Sequence, residues 1–214
     1  MNITKTDILE GSLISSIAHA IMTNVYPDLA YEQSWDGKNF SIQNSSGLRG
    51  TITFEFDYCI GAIRNDNTNI VVNNSSINEY MKCFPANIFH KAYEETLQYL
   101  LLERNGNIAP YVTSMFWADD FHIYFDKSCI DNLKEDFILL KNIIQPKEIA
   151  IAEWKAYYDM SSNAIELLTN LYEIKVLDFD SEIVLDEKQK QLIPGDFINY
   201  ECVESLKELN ILLR

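Results

Sequence analysis

The sequence has little of what usually betrays catalysis or nucleic-acid binding. Its four cysteines, Cys59, Cys83, Cys129 and Cys202, form no Cys-x-x-Cys pair and stand at no zinc-site spacing from a histidine, which excludes the common structural zinc modules. Seven glycines in 214 residues leave nowhere for a phosphate-cradling loop. There is no G-x-G-x-x-G, no P-loop, no G-x-S-x-G, no H-E-x-x-H, no EF-hand loop and no kinase set. With only five prolines as well, linkers and low-complexity disorder are excluded. No apolar run reaches the ~18 residues of a membrane span. Asp7 and Glu10 occupy positions where a secretory leader would be basic. These absences describe a cytoplasmic chain with reduced thiols, each cysteine serving as a small apolar core residue.

Positive charge is also scarce. Lys and Arg number 17 against 32 Asp and Glu, a net charge of −15. Residues 1–118 hold 12 acids and 7 bases, residues 119–214 hold 20 acids and 10 bases. Binding to nucleic acid or to an anionic membrane needs a cationic footprint that neutralises phosphate, so neither is expected as a partner. A basic protein partner would instead be steered inward.

What is present begins with a β-meander. Asp36-Gly37 reads as a two-residue hairpin loop with positive φ at both central positions. That register gathers Tyr31, Trp35, Phe40 and Ile42 on one face and Glu32, Ser34, Asn39 and Ser41 on the other. After a polar turn at residues 44–47, Gly50 to Tyr58 alternates, with Ile52, Phe54, Phe56 and Tyr58 inward. The run continues through Cys59 to Ile63, where Gly61 suggests a bulge. A turn from Asn65 to Asn69 then leads to a strand at Ile70-Val71-Val72. Tyr111–Trp117 and Phe121–Phe125 read as a second hairpin turned by Ala118-Asp119-Asp120, able to extend the first sheet.

Helical periodicity fills much of the rest. An N-terminal helix runs to about Asn24 with Ile14, Ile17 and Ile21 on its apolar stripe, while Ser15, Ser16, His19 and Thr23 fall on the expected solvated face. A helix from Pro85 to Glu103 carries Phe89, Ala92, Leu97 and Leu100. Others span about 130–144, 146–160 and 164–172, and Asp196 is placed to cap a closing helix with Phe197, Tyr200, Val203 and Leu206. The expectation is an α+β fold: an antiparallel sheet of about 4–6 strands packed against an N-terminal helix and a mostly helical C-terminal half. A single domain over 1–214 suits this length, with a possible subdivision into a sheet-containing part, 1–125, and a more acidic helical part, 126–214.

Chemistry-bearing residues are few. Asp119, Asp120 and His122 at the second hairpin could supply an acid and a base or hold a metal, although Asp-rich turns need neither. His90 and Glu94 lie one helical turn apart and could share a metal if a third ligand joined them. Three aromatic groups lie near acids: Trp35 with Asp36, Trp117 with Asp119 and Asp120, and Trp154, Tyr157 and Tyr158 ahead of Asp159. Aromatics inside an acidic rim are the composition of a surface that grips a basic protein. Trp35, Asp36, Trp117, Asp119, Asp120 and Tyr158 are therefore the expected partner-binding residues. The function expected is non-enzymatic protein binding without a cofactor, most concretely an acidic inhibitor or immunity-type protein occluding a basic toxin or nuclease. A metal-dependent hydrolase or nucleotide-processing enzyme built on Asp119, Asp120 and His122 is the alternative, and the aromatics could also form a homo-oligomer interface.

Overall fold

The computed structural model describes residues 3–67, 74–104 and 106–213. Helix α1 (Lys5–Met22) leads through a 3-10 turn (Pro27–Glu32) into β1 (Gln33–Asp36), β2 (Asn39–Gln43), β3 (Leu48–Phe54) and β4 (Cys59–Asn65). Helices α2 (Asn74–Tyr80) and α3 (Ala86–Glu94) follow, then strands β5 (Leu101–Arg104), β6 (Asn107–Pro110), β7 (Ser114–Ala118) and β8 (Ile123–Tyr124). The remainder is α4 (Ile130–Asp136), α5 (Lys147–Tyr158), α6 (Ser162–Lys175), β9 (Ile183–Val184), α7 (Glu187–Lys190), α8 (Tyr200–Glu208) and β10 (Ile211–Leu212). The main sheet runs β1-β2-β3-β4-β7-β8 and is antiparallel. With its N-terminal helix and C-terminal helices this is the α+β fold that the alternating and helical periodicities indicated.

Two compact units divide the chain. The described residues of Met1–Thr6 and Lys38–Lys141 make the first, those of Asp7–Gly37 and Asn142–Arg214 the second. In the first unit one sheet face is dry: Ile60, Ala62 and Met115 pack with Ile77, Tyr80, Met81, Phe84, Ile88 and Ala92 from α2, α3 and the turn between them. Gly61 lies opposite Phe116 in the β4–β7 ladder. A Cβ there would sit 2.1 Å from the Phe116 ring, so the glycine makes room for an aromatic and no bulge forms. Asp136 is buried in this unit and accepts hydrogen bonds from Asn65 Nδ2 (3.2 Å), Thr113 Oγ1 (2.6 Å) and Ser114 Oγ (2.6 Å). Paired in this way, a carboxylate can be held away from water.

Several expectations are corrected. The first hairpin loop is Gly37-Lys38, one residue later than Asp36-Gly37, because β1 extends through Asp36. Gly37 has φ +57° and is the only loop residue in the left-handed region. The alternating run from Gly50 to Tyr58 breaks after Phe54. Glu55 to Tyr58 is a tight turn closed by Glu55 N–H donating to Tyr58 O (2.8 Å), and Phe56 is 92% exposed at its tip. The helix from Pro85 stops at Glu94, and Leu101 to Arg104 pairs as a strand with Asn107 to Pro110. The closing helix starts at Tyr200, capped by Asn199 Oδ1 accepting from Cys202 N–H (2.9 Å), with Phe197 and Tyr200 exposed. Cys83 is exposed while the other three cysteines are buried. The strand expected at Ile70-Val71-Val72 lies outside the described residues.

The largest correction concerns α1. Ser12, Ser15, Ser16, His19 and Thr23 are all buried, as are Leu13, Ile14, Ile17 and Ile21. A helical serine or threonine can return its hydroxyl hydrogen to the preceding turn, and so behaves as a small, nearly apolar residue. Ser16 donates to Ser12 O (2.7 Å) and Thr23 to Ala20 O (2.8 Å). The stripe read as solvated is a second buried face.

Candidate functional site

The Asp119-His122 turn belongs to the first unit and is occupied with its own folding. Asp119 Oδ1 accepts from the Phe121 and His122 N–H groups (2.8 Å each), and Oδ2 accepts from Tyr124 O–H (3.0 Å). Partial burial pushes its pKa up, but these hydrogen bonds outweigh it and hold the carboxyl below the usual range. Asp120 is exposed, accepts from Thr6 Oγ1 (3.3 Å) and lies 3.6 Å from Lys5 Nζ. His122 is exposed beside Tyr124. Asp119 is thus taken up by its own turn, with a further downward pull from His122, and Asp120 is engaged apart from them. His90 and Glu94 both lie on the outer side of α3. Among the described residues, no three His, Cys, Asp or Glu side chains are grouped so as to hold a metal ion.

The proposed aromatic anchors divide. Trp117 is half-buried and stacks on Tyr124 at 4.1 Å in the first unit. Trp35 and Tyr158 are interior residues of the second unit, 5% and 2% exposed. They cannot themselves meet a partner, which is a correction to reading them as surface anchors. They support residues that can.

Above Tyr158 lies a band of exposed aromatics. Tyr157 packs edge-on against Tyr158 at 4.6 Å, and Tyr26 stacks on it at 6.2 Å. Tyr31 and Tyr157 are 59% and 55% exposed, and Tyr157 O–H donates to Glu32 Oε2 (3.1 Å). Asn24, two residues before Tyr26, donates through Nδ2 to Pro194 O (2.7 Å) and Phe197 O (2.8 Å). That stitching holds the exposed Phe197 near the same chain turn. Asp28, Asp159 and Asp196 are exposed among these residues.

The band rests on a buried polar chain. Neutral His19, with its proton on Nε2 facing Ala30 O (3.4 Å), accepts at Nδ1 from Tyr158 O–H (2.8 Å). The Gln33 amide donates to the Tyr158 oxygen, and Gln33 Oε1 accepts from Ser15 Oγ (2.8 Å). Trp35 Nε1 donates to Ser16 Oγ (2.6 Å), and Trp35 N–H to Glu208 Oε2 (2.8 Å). Burial lowers the His19 pKa to about 4, against a smaller upward pull from Ala30 O. Burial also raises Glu32, against the Tyr157 hydrogen bond. Such a network fixes rotamers, so the exposed tyrosines stand on a rigid base.

No family model, curated protein or solved structure matches this chain. The site therefore has to be judged on its own chemistry. The second unit holds 19 acidic and 7 basic residues, a net −12, while the first holds 13 and 10, a net −3. Sequence reasoning named Trp154, Tyr157 and Tyr158 but missed His19, Tyr31, Glu32 and Gln33. The available signal was the adjacent pair Tyr157-Tyr158: on a helix, neighbours 100° apart cannot both be interior to a narrow apolar stripe.

Proposed function

We propose that this chain is a non-enzymatic protein-binding protein whose second unit grips a basic protein. In its most concrete form it is an acidic inhibitor or immunity-type protein that occludes a basic toxin or nuclease. The observation that carries the reading is the coincidence, within one unit, of a net charge of −12 and exposed tyrosines on a buried hydrogen-bonded base. Tyrosine supplies large contact area at low entropic cost, and an acidic field accelerates encounter with a basic surface. The test is capture from a lysate of the source organism with tagged wild type and with Tyr31→Ala/Tyr157→Ala, washed in parallel at low and high salt. A basic protein held by wild type, lost at high salt and reduced about tenfold or more by the double substitution is expected. Capture indifferent to both salt and the tyrosines would refute it.

A further inference from the structure

Beside the aromatic band the second unit has a narrow cleft lined by Ser16, His19, Gln33, Ser34, Trp35, Ser205, Glu208 and Leu209. The cleft opens to solvent, and the roughly 10 Å³ inside it has room for one water-sized group. Trp35 forms one wall and is held at both ends, by Glu208 through its backbone N–H and by Ser16 through its indole. The lining is rich in acceptors: the Glu208 carboxylate, the Gln33 amide oxygen and the hydroxyls of Ser16, Ser34 and Ser205.

We propose that this cleft seats a single primary ammonium group, the tip of a lysine side chain on the basic partner. The choice of occupant rests on the protein-binding reading above. An ammonium is compact, carries three donors and no acceptor, and so matches a one-water cleft whose walls mostly accept. A guanidinium is planar and several atoms wide, too large for the same space. The electrostatics favour a cation. Burial raises the Glu208 pKa; the Trp35 N–H pulls it down, while the charges of Glu204 and Asp36 push it further up. A cation at Glu208 relieves that repulsion. Among the described residues no Lys or Arg lines the cleft; Lys207, one residue before Glu208 on α8, lies 3.4 Å from Glu204. His19 in the cleft wall is kept neutral by burial and adds no opposing charge.

The test uses n-butylammonium, chemically the end of a lysine side chain, with methylguanidinium and tetramethylammonium as controls at matched ionic strength. Two-dimensional amide NMR reads the Trp35 backbone and indole N–H groups, both bonded to lining residues. Saturable shifts at both for butylammonium alone, at least about tenfold weaker in Glu208→Gln, are expected. Equal, non-saturating shifts for all three cations, or an unchanged titration in Glu208→Gln, would overturn the assignment. Glutamine can still accept from Trp35 N–H, so the variant keeps the wall in place. No partner is present in this titration, so its result stands apart from that of the lysate capture.

Discussion

Acidification should weaken the second unit through one side chain, His19. Its pKa drops from 6.5 to about 4 on folding, because burial to 2% exposure strips water from the imidazole, against a smaller upward pull from Ala30 O. Between those two values the unfolded chain carries a proton on His19 that the folded chain refuses. Stability therefore falls as pH drops from about 6.5 towards about 4, by up to ~1.4 kcal/mol per pH unit, and the loss is complete below the folded pKa. The window is about 2.5 units wide, which gives roughly 3 kcal/mol. Glu32 and Glu208 oppose this: their folded pKa values are raised, so each stabilises the fold as pH falls through its own window above 4.5. Comparing wild type with His19→Gln removes that background, since both chains share it. Urea unfolding followed by tryptophan fluorescence at several pH values from about 7 to about 4 should show the two stabilities converging, or the variant overtaking, by about 3 kcal/mol. A constant difference across the range would refute the claim that the imidazole is neutral and buried beneath the tyrosines.

Two further outcomes are expected. Gly61→Ala places a methyl 2.1 Å from the Phe116 ring and should cost about 1–3 kcal/mol in thermal or chemical unfolding; Phe116→Leu in the same chain should recover part of it, and equal stability of Gly61→Ala and wild type would contradict the packing. A thiol-reactive chromogenic disulfide should modify Cys83 first in the native protein, because burial pushes Cys59 and Cys202 up to about 12 and Cys129 up to about 11; fast labelling that persists in Cys83→Ser would contradict it.

The elements whose signals are local were legible in the sequence. Alternation gave the strands of residues 39–54, and the Tyr111–Phe125 hairpin does extend their sheet through β7 and β8. Pro146 marks the start of α5, as proline at a helix entry does, while α6 begins at Ser162, two residues before the expected Ala164, with Ser161 as its cap. What failed depended on tertiary context. Phe56 continues a perfect period of two into a turn, and nothing local says that the ladder has ended. Ser15, Ser16 and His19 look solvated because polarity is visible in sequence while the partners that satisfy it inside the fold, Gln33 Oε1, Ser12 O and Tyr158 O–H, are not. The charge was visible only in part. Halving the chain near residue 118 gives −5 and −10, whereas the fold recruits residues 7–37, which contain no Lys or Arg, into the acidic unit. Trp35 and Tyr158 were singled out as anchors and lie one layer beneath the exposed surface.

The last strand of the main sheet, β8, is two residues long and pairs only at Trp117 and Ala118. A strand that short offers too few free peptide groups to template a neighbouring chain, so growth of the sheet into a fibril is blocked on that side. The exposed phenylalanines of the first unit lie outside the strands: Phe56 between β3 and β4, Phe121 between β7 and β8, and Phe125 just after β8. At this edge the exposed rings and the open hydrogen-bonding groups of β8 are thereby kept on different residues, and cross-β aggregation needs both on the same stretch. Concentrated solutions of the protein should accordingly stay free of amyloid-type stacking along β8 even though three phenylalanines of the first unit, Phe56, Phe121 and Phe125, remain in water.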